Sequence, residues 1–316
     1  MKTEANAYHS VIVKHAMVGM VKMHMKAFVL TGLVVAATVA AGAQSGPASL
    51  VSLSTQPSMN VFRRFAVEPA RMARFYGEVL GLRQLPSLNM PGGGQMMLFE
   101  IGTGQVKLQY TAAAGEYKTG SVHEVTGLRV LTFFYPDEAA LIARFVHHGY
   151  PAPASEAGRA HGRVAMVRDP ANQWVELVVI PGARPDVYQS FEVGLTVSNL
   201  EKSRAFYRDF VGLEELPPVD DPVLRTTRYP YRHGTTTVNV WSFGAGLPAN
   251  TRSAGIQYVV SDVEAVDAKA KAQGVKIDTP LGNFSAGLRT IWLSDPDGIT
   301  NYFAQIIRRT QSTASR

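Results

Sequence analysis

Cysteine is absent from the 316-residue chain. That excludes a disulfide framework, a cysteine–zinc site and a thiol nucleophile. Charge is sparse: 18% of residues are charged and 46% hydrophobic. A chain that stays disordered has the opposite balance. A concentrated basic face is also missing. The formal charge is +6, but 27 basic and 24 acidic residues follow position 43. So mild a surplus argues against a nucleic-acid partner. The apolar run Phe28 to Ala41 is too short for a comfortable permanent membrane span.

That run follows Lys26 and leads to Ala41-Gly42-Ala43, small residues at the positions a signal peptidase inspects. Gln44-Ser45-Gly46-Pro47 then breaks any helix. The layout is that of a secretory signal. It predicts cleavage after Ala43, export to a periplasmic or secreted location, and no permanent membrane span in the mature chain. Met25-Lys26 would open a conventional signal alone, so residues 1–24 read as an overlong start. Residues 44–58, rich in Ser and Pro, are expected to form a disordered tether.

The rest of the chain repeats. Phe75-Tyr76 precedes Leu80-Gly81-Leu82, and Phe206-Tyr207 precedes Val211-Gly212-Leu213. Asp137 opens a helical pattern that ends at Gly149, and Asp262 opens another that ends at Gly274. Arg163 stands before Asp169-Pro170 as Arg289 stands before Asp295-Pro296. The same landmarks in the same order mark two copies of one unit. The expected division is residues 59–181 and 191–307, with a linker at 182–190 and a disordered tail at 308–316. In the second copy Val193 to Val197 is a strand pattern, and Asn199 can cap a helix through its side-chain oxygen. Leu200, Phe206, Tyr207, Phe210 and Val211 make an apolar stripe at helical spacing, and Gly212 stops the helix. Thr236 to Trp241 reads as a strand. Thr290 to Leu293 and Thr300 to Ile307 flank the Asp295-Pro296-Asp297-Gly298 turn.

The Phe-Tyr…Leu-Gly-Leu helix, the Asp-to-Gly helix and the Asp-Pro-Asp-Gly turn resemble the vicinal oxygen chelate (VOC) superfamily. It includes glyoxalase I, extradiol dioxygenases and bleomycin-resistance proteins. The resemblance covers about residues 59–307. It implies an α+β fold: four βαβββ modules in two tandem units, with curved sheets around a cleft. It also implies one divalent metal on the cleft floor, held by His or Gln from first strands and Glu from last strands. That metal would polarise two substrate oxygens as a Lewis acid.

Carried over residue by residue, the ligand pattern is incomplete. The first strand offers Phe62 or Arg63, the fourth Lys107, and the next module Leu128 or Val130. The closing strand keeps Glu176. In the second unit the positions fall on Glu192, Asn239, Gly255 and Tyr302. An extradiol dioxygenase needs two His and one Glu, which this set lacks. If the units pair as in fused glyoxalases, Glu176, Glu192 and Asn239 share a cleft. They would then suit a divalent metal (Mn, Mg or Ca, with Zn less favoured), or hold none. If each unit closes on itself, Glu176 faces Lys107 and the pair neutralises itself.

Two functions remain open. One is a metal-dependent lyase, isomerase or dioxygenase-like enzyme acting on a small oxygen-containing molecule. The other is a metal-free binding protein of the bleomycin-resistance kind, gripping a small ligand with apolar and aromatic walls. Tyr302, Lys107, Trp241, Tyr229 and Arg232 are the candidate substrate contacts, and the protein would be a monomer or homodimer. The segment from Arg225 to His233, with Arg228, Tyr229, Tyr231 and Arg232, reads as a basic aromatic loop. His147-His148 suits a helix C-terminus. His161 and His233 read as loop residues. Arg163 and Arg289 suggest a shared structural role, and Pro91-Gly92-Gly93-Gly94 reads as a flexible loop.

Overall fold

The computed structural model describes residues 49–90, 94–111, 120–249, 253–285 and 287–307. The expected signal, residues 44–48 of the expected tether and the expected tail lie outside them, as do Pro91 to Gly93. No helix among the described residues is long and apolar enough to cross a membrane.

Strand and helix alternate four times. The first module holds β1 (Asn60–Phe65), α1 (Pro69–Arg74), β2 (Arg83–Asn89), β3 (Gln95–Ile101) and β4 (Gly104–Tyr110). The second holds β5 (Gly127–Tyr135), α2 (Glu138–His147), β6 (Glu156–Ala157), β7 (Arg163–Arg168) and β8 (Trp174–Val179). The third has β9 (Phe191–Thr196), α3 (Leu200–Arg204), β10 (Glu214–Glu215), β11 (Val219–Asp221), β12 (Thr226–His233) and β13 (Thr236–Trp241). The fourth has β14 (Ala254–Val259), α4 (Val263–Ala272), β15 (Ile277–Ser285), β16 (Leu288–Ser294) and β17 (Thr300–Ile306).

The modules pair across the repeat. β1 lies antiparallel to β14, so modules one and four form an eight-stranded sheet. β5 lies antiparallel to β9, so modules two and three form a nine-stranded sheet. Glu176 and Lys107 are therefore on different sheets, and the self-closing pairing is not the one adopted.

The helices start where short polar side chains accept an otherwise unpaired backbone N–H. Asp137 accepts from Ala140 N, Asn199 from Lys202 N and Asp262 from Ala265 N, each at 3.0 Å. Gly212 ends its helix at φ 87°, a left-handed conformation that suits a residue without Cβ. Arg163 bonds Glu138 in the first turn of α2 (Nε–Oε1 3.1 Å), and Arg289 pairs with Glu264 in the first turn of α4. Their recurrence is thus structural.

Strand alternation separates core from cleft. Val61, Val106, Ile256 and Phe303 face one continuous apolar core, in which Phe75, Tyr76, Phe206 and Tyr207 are buried. Tyr76 packs on Phe99 of one sheet and Phe133 of the other. Its hydroxyl donates to Asp169, and that of Tyr207 donates to Asp295, each at 2.9 Å. The two Phe-Tyr helices thereby tie the sheets together.

Residues 49–58 correct the tether expectation. Leu50 is buried in the core, Ser49 Oγ reaches the carbonyls of Val211 and Gly212, and Thr55 N bonds Val259 O at 2.8 Å. One apolar side chain and paired backbone groups outweigh a Ser/Pro-rich composition.

Candidate functional site

Register assigns equivalent positions to the two sheets. In the first, Leu98 pairs with Lys107, Lys107 with Phe62, and Gln257 with both Asn60 and Tyr302. In the second, Pro230 pairs with Asn239, Asn239 with Gly194, and Thr132 with both Glu192 and Glu176. The central four residues are therefore Asn60, Lys107, Gln257 and Tyr302 on one sheet. They are Glu192, Asn239, Thr132 and Glu176 on the other. Arg63, a first-strand candidate, faces away from the cleft: it is fully buried and lies 3.9 Å from Asp169.

On the second sheet the sequence-predicted trio does converge. Asn239 Nδ2 donates to Glu192 at 2.7 Å, and Thr132 Oγ1 donates to Glu176 at 2.6 Å. Two arginines also enter. Arg228 Nη2 donates to Glu176 at 2.6 Å, and its Nε donates to Asp221 at 2.5 Å. Arg159 Nη2 bonds Glu192 at 2.5 Å and Glu176 at 3.3 Å. Trp241 is fully buried, with Arg228 5.3 Å above its ring and its indole N–H on Thr196 at 2.8 Å. Burial pushes the Glu176 carboxyl up, but Arg228 and then Arg159 outweigh it and hold it down at about 2.

This arrangement does not fit a divalent cation. Metal ligands must present free lone pairs, whereas these carboxylate oxygens accept from guanidinium groups that would repel a dication. No group of three or more His, Asp or Glu side chains among the described residues is placed to hold a metal ion. The arginines supply the positive charge that a metal would bring.

The first sheet is different. Lys107, half-buried, points into a cavity of about 260 Å³ walled by Phe62, Met96, Trp292 and Tyr302. Trp292 stacks on Tyr302 at 4.6 Å between ring centroids, and Phe62 meets Tyr302 edge-on at 5.4 Å. Arg64 lies 5.5 Å from the Phe62 ring centre, and with Trp292 it also lines a more open groove of about 510 Å³. Lys107 Nζ donates to Gln257 Oε1 at 2.5 Å, and Asn60 Nδ2 donates to the same oxygen at 3.0 Å. No carboxylate among the described residues forms an ion pair with Lys107. Burial brings its ammonium down to about 8. Burial also raises the Tyr302 phenol, which stays protonated at neutral pH.

Of the candidate substrate contacts, Lys107 and Tyr302 line this cavity. Trp241 is sealed under Arg228 in the other sheet. Tyr229 packs against the core, on the opposite face of β12 from Arg228. Arg232 pairs with Glu214 at 2.8 Å in an exposed ion pair. The predicted basic aromatic loop is thus mostly strand β12, whose alternation sends its side chains to two faces. Arg159 and Asp221 were not legible as site residues. Each lies outside the recurring motifs, Arg159 in the short turn Arg159–His161 and Asp221 in β11.

Comparison with known proteins agrees with this architecture. The family model for the Glyoxalase/Bleomycin resistance protein/Dioxygenase superfamily matches residues 58–177 and 190–303. The chain belongs to that superfamily, as a tandem member. Glyoxalase I from Zea mays is similar in fold, with 20% identity and a TM-score of 0.63 over 81% of this chain and 94% of that one. A putative dioxygenase from Bacillus subtilis subsp. subtilis str. 168 has 16% identity and a TM-score of 0.57, over 80% and 86%. A search of curated proteins gives no significant match.

Proposed function

We propose that this is an exported small-molecule-binding member of the superfamily, whose ligand occupies the cavity between modules one and four. The observation that carries the reading is Lys107, an amino group without a carboxylate partner among the described residues, set in an aromatic-walled cavity. A cavity of this size takes a single ring with small substituents, since an apolar cavity of about 150 Å³ already admits benzene. The stacked walls favour a planar ligand, and the Lys107 ammonium favours an oxygen bearing negative charge. Export rests on the Lys26, apolar-run, Ala41-Gly42-Ala43 layout. A metal-dependent lyase, isomerase or dioxygenase is not adopted, because guanidinium groups satisfy the carboxylates that would hold the metal.

The test is fluorescence titration with benzoate. Trp292 lines the cavity, so benzoate should quench it, and Lys107→Met should weaken binding roughly tenfold or more, as loss of a charged hydrogen bond does. Quenching that is absent, or equal in wild type and variant, would exclude the reading.

A further inference from the structure

We infer that Lys107 captures carbonyl compounds covalently, as an imine, in the cavity between modules one and four. This rests on the reading of that cavity as the ligand site. A lysine becomes a nucleophile when an apolar pocket desolvates it and nothing locks it as an ammonium. Lys107 meets both conditions. Its neighbours across the cavity are the rings of Phe62, Trp292 and Tyr302 and the side chain of Met96. Its hydrogen-bond partner among the described residues is the neutral amide oxygen of Gln257. That oxygen only accepts, so it orients an N–H and leaves the nitrogen lone pair directed elsewhere. The other ionisable groups lining the cavity are Arg64 and Tyr302. Neither carries negative charge at neutral pH.

The chemistry balances without a further reagent. The Nζ lone pair attacks the carbonyl carbon, and the C=O π pair moves to oxygen. Proton transfer gives a neutral carbinolamine. Loss of its oxygen as water leaves a C=N bond to Nζ. One amine and one carbonyl become one imine and one water, with no change of oxidation state. With its pKa near 8, roughly a tenth of Lys107 is uncharged at pH 7, against fewer than about one in a thousand for an ordinary lysine. Lys269 is buried, but its Nζ donates to the Phe210 carbonyl at 2.8 Å and it lies outside this cavity.

The test is reductive trapping of the full chain with benzaldehyde and cyanoborohydride, followed by peptide mapping. The sequence has ten lysines, so selectivity is informative. The expected result is the mass of one benzyl group, on Lys107 before any other lysine. Its rate should rise with a midpoint near pH 8, and benzoate should suppress it at Lys107 alone. Lys107→Arg should abolish the selective label. Label spread over surface lysines, or missing from Lys107 in wild type, overturns the inference. If benzoate still quenches Trp292 in that case, the binding site stands and only the covalent step fails. If neither occurs, both fall.

Discussion

Met96 and Arg228 hold the same position in the two repeats. Met96 lies two residues before Leu98, which pairs with Lys107. Arg228 lies two before Pro230, which pairs with Asn239. On one sheet this position carries a thioether that helps wall a cavity. On the other it carries a guanidinium that bonds Glu176 and Asp221. One substitution within the repeat therefore goes with the difference between an open, apolar cleft and one filled by ion pairs. The closing charges are built into the second cleft, and an amino group held by a neutral amide is built into the first.

Substituting each side chain by the other should disrupt each cleft in its own way. Met96→Arg places a long cation in the cavity and should abolish benzoate quenching of Trp292 while leaving the fold intact. Arg228→Met leaves Glu176 and Asp221 buried without their main cation. Breaking a buried pair in this way costs about 3–5 kcal/mol. Benzoate titration of Met96→Arg and urea unfolding of Arg228→Met read the two effects. An Arg228→Met protein as stable as wild type would contradict the network.

The amino group in the first cleft should carry a stability cost of its own. Burial lowers the Lys107 pKa from an ordinary lysine value to about 8. Below pH 8 the native state must hold the charge in a poor environment. Between about pH 8 and 10.5 the unfolded chain binds the proton and the native state does not, so stability rises with pH across that window. Lys107→Met should stabilise the protein at pH 7 by roughly 1–3 kcal/mol, and the gain should vanish by pH 10.5. Denaturant melts at both pH values check this.

How far the sequence speaks depends on what each feature needs. The Phe-Tyr helices, the Asp and Asn caps and the two Asp-Pro turns are local, and they mark the modules in the sequence itself. The meeting of Glu176 and Glu192 follows from the order of paired modules, so the fused arrangement made it an explicit alternative. The arginines do not follow. Arg159 reaches the cleft from a turn with Ala160 and His161 at positive φ, a backbone path that no periodicity announces. Arg228 was visible as a basic residue, but only the pairing of β12 with β13 shows which face it joins. The incomplete metal-ligand set was the one sequence signal that this cleft is unusual.

Gly194 tests the packing beneath that network. A Cβ at this position would lie 2.1 Å from the Trp241 ring, and the ring is fully buried. Gly194→Ala should therefore push Trp241 toward Arg228 and cost about 1–3 kcal/mol through overpacking. A shifted tryptophan emission maximum should accompany the loss. Unchanged stability would show that the ring has room the structure does not give it.

The acid side of the stability profile should report on Asp295. Burial pushes this carboxyl up to about 7, although it accepts bonds from Ile299 N, Asp297 N and the Tyr207 hydroxyl. Asp169, its counterpart, is also raised, with Arg63 lowering it in part. Between about pH 4 and 7 the unfolded chain has lost the Asp295 proton while the native state keeps it. Each unit of rising pH in that window then lowers stability by about 1.4 kcal/mol, and above pH 7 the contribution is constant. Glu176 works the other way and lower down. Its contribution is complete above its ordinary carboxylate value and is lost as pH falls toward about 2. Asp295→Asn keeps an oxygen for the two backbone donors and cannot ionise. It should flatten the pH 4–7 slope and be relatively more stable at pH 8 than at pH 5 by about 1–3 kcal/mol. Urea melts of wild type and variant at these two pH values decide it: parallel changes in both proteins would mean that Asp295 is already ionised when folded.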